Sequence, residues 1–263
     1  MYLVLSIASI VSVFPLYYMF CASTNKSVDV IAGKLIPGTY LIENYKALIA
    51  NQNLGLALWN SFRNATVLTV LCLLICSIAG YGFEIYHDKG KDVVFTILLT
   101  AMMIPFAVVM IPQYVMFTKM GWTNSLLPLI IPGLFGNVSI VFFLRQNLTS
   151  IPDTLVEAAK IDGCGYFKMY YKIFLPLMKG ALMTQIILWF MGIWNDYLAP
   201  TIFIQDEQWF TLQVVIRSFN AYYAVNSDYP LIMAASVLAI LPTLLLFFQR
   251  YIIESMAVTG VKG

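Results

Sequence analysis

The sequence predicts an all-α integral membrane protein with six transmembrane helices. Apolar residues make up 60% of the chain and charged residues only 11%, and the mean hydropathy is +0.81. These values lie far outside the range of soluble domains. The charges are also clustered, so long stretches of the chain carry none. A soluble protein with one buried core would not need so many long apolar stretches.

Six of these stretches are long enough to cross a membrane. A helix rises ~1.5 Å per residue, so about 20 apolar residues span ~30 Å of hydrocarbon. The predicted spans lie within residues 1–25, 64–83, 93–118, 120–144, 180–205 and 229–249; the fifth carries one charge, Asp196, and the others none. The first span is predicted to be a retained helix rather than a signal peptide, because no small-residue cleavage pattern follows it.

Prolines recur within the predicted spans, where each removes a backbone donor and bends a helix. Lipid tolerates such bends only where neighbouring helices or water satisfy the freed carbonyls. The third span holds Pro105 and Pro112, and the fourth holds Pro128 and Pro132. These pairs predict helices broken around a pathway. Ordinary kinking within a packed bundle is the alternative.

The connections between spans predict the orientation of the chain. Residues 26–63 form a long outer loop with an amphipathic helical stretch at 40–58, and residues 206–228 form a second outer loop. With both termini in the cytoplasm, nine Lys and Arg residues lie inside and six outside, which favours this orientation. We therefore expect a single transmembrane domain over 1–263, with the polar loop 145–180 in the cytoplasm.

The polar loop has the pattern of two short helices joined by a tight turn. Ser150 is predicted to cap a helix that begins near Asp153 and runs to Ile161. Gly163 and Gly165 permit a sharp change of direction. A second helix is predicted over 166–174, ended by Pro176 before the fifth span. Small alanine side chains on the first helix would let another protein surface approach closely.

Residues 157–176 of this loop follow the spacing EAA-x3-G-x9-I-x-LP at every fixed position. The pattern resembles the cytoplasmic EAA signature loop of permease subunits of bacterial ABC importers, which docks into the ATP-hydrolysing subunit. The resemblance implies an ATPase-coupling surface, for which the predicted residues are Glu157, Ala158, Ala159, Asp162, Gly163 and Pro176. The alternative is an interfacial helix–turn–helix without a partner.

The likeness extends over nearly the whole chain. The segment 194–200 is similar to the fifth-helix sequence of permeases for sugars and oligosaccharides, and Glu43-Asn44-Tyr45, Asn60-Ser61 and the ending 260–263 also match that group. The amino terminus departs from it by lacking a charged lead-in. The resemblance points to the maltose-type permeases, specifically the shorter six-helix partner with the ABC importer type I permease fold. It implies a second, unlike permease, two ATPase subunits, an extracytoplasmic solute-binding protein, and a tail that reaches between the ATPases.

Motifs typical of nucleotide-binding, catalytic or metal sites are absent from the sequence. No Gly-x4-Gly-Lys-Ser/Thr run occurs, so ATP and Mg²⁺ are expected on the partner ATPases, and this chain is expected to be neither an enzyme nor a cofactor or metal carrier. His87, the only histidine, is predicted to lie in a solvated cytoplasmic turn. Cys72 and Cys76 share a helix face but lack nearby His, Asp or Glu, so buried thiols are predicted rather than a metal site.

The fifth span carries a polar stripe. Gln185, Trp189, Gly192 and Asp196 are spaced by four, three and four residues, so they would share one helix face. Unpaired polar groups are costly in lipid, so this face should line a water-filled cavity or the bundle interior. We predict that these residues, with Asn195, line the substrate pathway. The alternative is that Asp196 pairs with another helix.

The composition of the predicted spans also bears on the substrate. No Lys or Arg lies inside a span, so no fixed cation is available for an anionic solute. Aromatic rings and neutral amides suit a carbohydrate. We therefore predict a sugar or oligosaccharide importer, with glycerol phosphate or another polar solute as the alternative. An ion-coupled transporter using Asp196 is less favoured, because inverted halves are not visible.

Overall fold

The computed structural model describes residues 2–51, 53–86, 88–135, 137–225, 228–240 and 242. These residues form helices and turns without a strand among them, so the all-α prediction is confirmed. The α-helices are α1 Tyr2–Ser23, α2 Ser27–Ile31, α3 Leu41–Asn51, α4 Leu54–Ile85, α5 Lys91–Ala101, α6 Phe106–Lys119, α7 Leu127–Phe135, α8 Val138–Leu148, α9 Asp153–Ile161, α10 Tyr166–Met169, α11 Leu175–Leu177, α12 Lys179–Asn195, α13 Leu198–Phe203, α14 Leu212–Val225 and α15 Tyr229–Ala239. His87 and the predicted tail contact lie outside the described residues.

Several helices have the length and composition of a membrane span. Three pass by themselves: α1, α4 and the stretch Leu127–Leu148 formed by α7 and α8. Two bent pairs also pass, α5 with α6 at 91° and Tyr166–Leu177 with α12 at 74°, so the described residues hold up to five spans. The predicted sixth span, 229–249, is described only to residue 242, and α15 begins it. The count of six therefore stays a prediction.

The third predicted span is broken at Pro105, as its proline pair indicated. The chain turns through residues 102–104 after α5, and Pro105 then caps α6. Pro112 lies inside α6. The fourth span differs from the prediction, because Pro128 and Pro132 both lie inside α7 and do not break it. Pro128 sits in the first turn, where a missing N–H costs no helical hydrogen bond.

The predicted outer loop 26–63 is largely helical. Its amphipathic stretch is divided between α3 and the start of α4, because Asn53 caps the second helix. The Oδ1 atom of Asn53 accepts the N–H of Leu56 at 3.1 Å, a hydrogen bond that satisfies a donor left free at a helix start. α4 has 32 residues and so measures ~48 Å, longer than the ~30 Å of hydrocarbon.

The chain divides into two compact units. Of the described residues, those within 2–62, 195–201 and 206–242 form one unit, and those within 63–194 and 202–205 form the other. In the first unit α15 packs against α1, α3 and α14. Tyr45 donates its hydroxyl to a carbonyl of α15 at 3.0 Å, Asn60 donates to the carbonyl of Gln208 at 2.9 Å, and Ser61 Oγ accepts the N–H of Leu212 at 2.8 Å. Tyr45, Asn60 and Ser61, which belong to the segments that match the sugar permeases, therefore connect neighbouring elements within this unit.

The core of the second unit forms around α4, α8 and the polar loop. Gly80 allows α4 and α8 to approach closely, since a Cβ atom there would lie 3.3 Å from the backbone nitrogen of Arg145. Cys72 and Cys76 are buried free thiols, as predicted. The side-chain amide of Asn137 donates to the Cys72 sulfur at 3.1 Å and so joins the start of α8 to α4.

Candidate coupling loop and pathway face

The first arm of the polar loop is α9. It begins at Asp153, and Pro152 occupies the N-cap position in an extended conformation. The prediction that Ser150 caps this helix is wrong. Its hydroxyl instead donates to the carbonyl of Asn147 at 2.8 Å, at the end of the preceding helix. Asp153 lies in the first turn, where the helix dipole stabilises a carboxylate.

α9 ends in a left-handed turn at Gly163. The φ angle of Gly163 is +70°, a conformation that residues with a Cβ atom resist. Its N–H donates to the carbonyl of Lys160 at 3.0 Å, and the N–H of Cys164 donates to the carbonyl of Ala159 at 2.9 Å. This pair of bonds is a Schellman motif. Gly165 has a φ of −68°, so only Gly163 is required for the turn.

The second arm is longer than predicted. It runs from Tyr166 to Leu177 and includes a π-helical turn at Tyr170–Phe174. Pro176 lies inside α11 and does not end the arm, which corrects the prediction. A proline ring crowds the carbonyl four residues before it, and the wider π turn directly before Pro176 gives that carbonyl room. The arm ends at Met178, where the chain bends by 74° into α12.

The two alanines of the signature face opposite environments. Five of the predicted coupling residues are exposed, namely Glu157, Ala158, Asp162, Gly163 and Pro176. Ala159 is 5% exposed and packs into the core of the second unit. The prediction that both alanines leave a bare face for a partner is therefore wrong for Ala159. Consecutive helical residues are about 100° apart around the axis, so one of them turns inward.

Two large apolar side chains beside the turn were missed from sequence alone. Ile161 is 86% exposed and Phe167 is 72% exposed, one on each arm. The Lys160 ammonium lies 5.6 Å from the centre of the Tyr166 ring and links the arms across the turn. Both side chains are candidates for contact with a partner protein. The helical repeat could have predicted the exposure of Ile161, because it places this residue on the side of α9 opposite the buried Ala159.

The predicted pathway face is present on α12. Gln185, Trp189 and Gly192 follow its helical repeat; the first two are partly buried, and Gly192 is exposed. A Cβ atom at Gly192 would meet no described atom within 4 Å. Trp189 packs against the core, and its buried indole N–H has no hydrogen-bond partner among the described residues. That this face lines a pathway stays a prediction.

Asp196 does not belong to that face, because α12 ends at Asn195. The Oδ1 atom of Asp196 accepts the N–H groups of Leu198 at 3.0 Å and Ala199 at 3.4 Å and so caps α13. The Asn195 side-chain oxygen accepts from the amide of Gln213 at 3.4 Å. The helical spacing that placed Asp196 in the stripe is therefore interrupted by a local cap.

We expect Asp196→Asn to transport at close to the unmodified rate. Asparagine accepts the same two hydrogen bonds and ranks beside aspartate as a cap. Asp196→Ala should lose the cap, cost about 1 kcal/mol, and reduce the amount of assembled protein. The measurement is uptake into proteoliposomes per assembled complex. Abolished transport in Asp196→Asn, with loss of pH dependence, would instead identify an ion-coupling carboxylate.

Metal-binding side chains form no cluster among the described residues. No group of three or more His, Cys, Asp or Glu is placed there to hold a metal ion. Cys21 is buried and Cys164 is partly buried, and both are free thiols. The features that remain for function are the polar loop and the face of α12.

Residues 78–258 match the family described as the binding-protein-dependent transport system inner membrane component. The chain belongs to this family. The matched region contains the whole polar loop and α12, so the resemblance seen at residues 157–176 is confirmed. This permease is therefore a multi-pass inner-membrane subunit of an ABC importer and a transport subunit rather than an enzyme.

Relatives of the permease match it almost end to end. The lactose transport system permease LacG of Rhizobium radiobacter is 35% identical over 97% of this chain and 93% of its own length. The arabinooligosaccharides permease AraQ of Bacillus subtilis is 34% identical over 97% of this chain and 92% of its own. Relatives at 28% identity include UgpE of Brucella abortus, an sn-glycerol-3-phosphate permease, over 98% of this chain and 95% of its own.

A solved structure confirms the fold of the permease. The chain is similar to one from a bacterial ABC transporter involved in the import of the acidic polysaccharide alginate. The TM-score is 0.78 at 23% identity, and the match covers 95% of this chain and 94% of that chain. At this identity the likeness shows the fold alone, which is the predicted ABC importer permease fold.

Proposed function

We propose that the permease is one of two unlike membrane subunits of an importer for a neutral sugar or oligosaccharide. Two ATPase subunits bind ATP and Mg²⁺, and an extracytoplasmic solute-binding protein delivers the solute. The permease forms half of the pathway, holds no nucleotide itself, and has both termini in the cytoplasm. The observation that carries this proposal is the exposed Gly163 turn of the polar loop.

The geometry of the turn supports docking onto an ATPase subunit. The turn is exposed, but it is held rigidly by the Schellman bonds at Gly163. Ile161 and Phe167 present apolar surface on either side of it, and Glu157 and Asp162 add two exposed carboxylates nearby. A rigid surface with apolar anchors and a charged rim loses little entropy on binding and has the composition of a protein interface.

The substrate class is supported by the relatives and by the charges of the spans. LacG and AraQ are named for sugars. Two span-forming stretches carry an arginine, Arg63 in α4 and Arg145 in Leu127–Leu148. The guanidinium of Arg145 is paired with Glu84 at 3.1 Å and Asp92 at 3.0 Å. It therefore presents no free positive charge to an anionic solute. Partly buried Trp189 and Gln185 suit stacking and hydrogen bonding to a sugar.

The solute is tested with the binding protein and the reconstituted importer. We expect lactose or a neutral oligosaccharide to stabilise the binding protein, by about 2.7 kcal/mol at 100 times Kd. The same solute should stimulate ATP hydrolysis by the full complex in nanodiscs. Stimulation by sn-glycerol 3-phosphate or an alginate oligosaccharide alone would show that the substrate is anionic. A reconstituted complex that binds no ATPase subunits, or whose ATP hydrolysis responds to no solute, would contradict the importer proposal itself.

A further inference from the structure

The carboxyl-terminal end of α4 contacts the polar loop in two places. One face of this helix carries Ser77, Tyr81 and Glu84, spaced by four and three residues, so the three side chains are aligned. Glu84 contacts Arg145 in the last turn of α8, just before the loop, and the two hydroxyl side chains contact the second arm of the loop. All of these residues belong to the second compact unit.

The first contact centres on Arg145. Its Nε lies 3.1 Å from a Glu84 oxygen, and one terminal guanidinium nitrogen lies 3.0 Å from an Asp92 oxygen. The guanidinium carbon is 4.4 Å from the centre of the Phe95 ring. The Arg145 and Glu84 side chains are only 17% and 24% exposed, so solvent screens this pair weakly, whereas Asp92 is 73% exposed and its pairing is screened more strongly. The planar guanidinium thus joins α8 to both α4 and α5, which a lysine could not do in the same geometry.

The second contact centres on Tyr170, the first residue of the π turn. Its hydroxyl lies 2.7 Å from Ser77 Oγ, and both groups are buried. Ser77 also donates to the Leu74 carbonyl at 3.0 Å, which uses its only hydrogen, so Tyr170 is the donor to Ser77. Tyr81 donates its hydroxyl to the Tyr166 carbonyl at 2.9 Å.

Aromatic packing surrounds these hydrogen bonds. The Tyr81 ring lies 5.4 Å from the Tyr170 ring and 5.1 Å from the Phe174 ring, both in tilted arrangements. Phe174 is fully buried. Such ring pairs contribute beyond their buried area. The contact is therefore a packed joint with oriented hydrogen bonds, and it resists sliding of the second arm along α4.

One contact holds α8, the helix that leads into the loop, and the other holds the second arm, while the turn between them is exposed. A force applied at the Gly163 turn is therefore delivered to the same helix at two points. Densely packed groups with fixed hydrogen bonds move together rather than deform. Residues 63–85 of α4 belong to the same compact unit as the two contacts and form one unbroken helical stretch, so a displacement at this end is carried along that stretch.

We propose that α4 is the direct recipient of the movement of the coupling loop, with Arg145 and Tyr170 as its two positioning residues. The inference rests on the proposed docking of the loop onto an ATPase subunit. Covalent continuity alone would deliver the movement to α8 and α12. The contacts at Arg145 and Tyr170 also couple α4, which is not adjacent to the loop in sequence, to the same movement.

The test measures solute imported per ATP hydrolysed by the full complex with its binding protein in proteoliposomes. We expect Tyr170→Phe and Arg145→Met each to lower this ratio by about tenfold, the effect of losing one buried hydrogen bond on an equilibrium. Arg145→Lys should restore part of the ratio. ATPase binding should be unchanged, because the exposed turn is intact.

Matched controls separate transmission from general damage. Tyr86→Phe removes a hydroxyl beside the same joint while keeping the ring, which stacks on Tyr166 at 4.4 Å. Lys89→Met removes an exposed positive charge near the same helix end. Both should leave the ratio unchanged. A normal ratio in Tyr170→Phe and Arg145→Met, or reduced assembly with a normal ratio in what assembles, would overturn the inference. Failure of the unmodified permease to bind ATPase subunits would overturn the proposed docking.

Discussion

We expect Gly163→Asp to abolish solute-stimulated ATP hydrolysis and uptake while the permease still folds and reaches the membrane. The substitution places a side chain at a φ of +70°, and it puts a carboxylate at the carboxyl end of α9, where the helix dipole disfavours negative charge. On docking, that carboxylate would be buried without a partner. An unpaired buried charge costs about 3 kcal/mol or more, which corresponds to a loss of ~100-fold or more in affinity.

Three companion variants isolate the cause. Gly163→Asn has nearly the same shape without the charge and tolerates the left-handed conformation, so it should retain more activity. Gly163→Ala tests backbone strain alone, which costs roughly 1–2 kcal/mol. Gly165→Asp is the control for charge without backbone strain. It adds the same charge two residues from Gly163, at a φ of −68° and at an N-cap position that favours aspartate. ATP hydrolysis stimulated normally by solute in Gly163→Asp would remove the turn from the coupling surface.

Truncation of the two apolar side chains beside the turn should have the next largest effect. Ile161→Ala and Phe167→Ala are each expected to weaken binding of the ATPase subunits by about 30-fold, since central interface anchors contribute about 2 kcal/mol or more. The isolated permease should lose little stability, because both side chains are mostly exposed. The measurement is the affinity of the detergent-solubilised permease for the purified ATPase.

The matched control for Ile161→Ala is Ile97→Ala. Ile97 lies on α5 and is 64% exposed, so its truncation removes a similar apolar area away from the loop. ATPase affinity should be unchanged in this variant. Equal affinities for Ile161→Ala, Phe167→Ala and the unmodified protein would place the docking surface elsewhere on the loop. Equal losses in the control and the loop variants would indicate general destabilisation.

These experiments distinguish residues that bind the ATPase from residues that transmit its movement to α4. Ile161 and Phe167 are expected to set how tightly the ATPase binds, and therefore to change affinity. Tyr170 and Arg145 are expected to set how much of its movement reaches α4, and therefore to change the transport ratio at constant affinity. The first class is exposed and the second is largely buried.

The sequence by itself determined the membrane class, the extent of the apolar stretches and the location of the polar loop. Charge is so costly in hydrocarbon that its absence over about 20 residues identifies a span without any tertiary information. The turn at Gly163 was equally predictable from the sequence, because a glycine after a short helix is the local signal for a left-handed C-cap. The break at Pro105 followed from the missing backbone donor of proline.

Only the tertiary structure decided which way individual side chains turn and where helices end. Ala158 and Ala159 are indistinguishable in sequence, but Ala159 is buried because the neighbouring core covers that side of α9. Asp196 matched the helical repeat, yet it caps α13 because α12 stops one residue earlier. The joint between Ser77 and Tyr170 connects positions 93 residues apart. Burial and long-range hydrogen bonds depend on which elements become neighbours, and a local pattern does not contain that information.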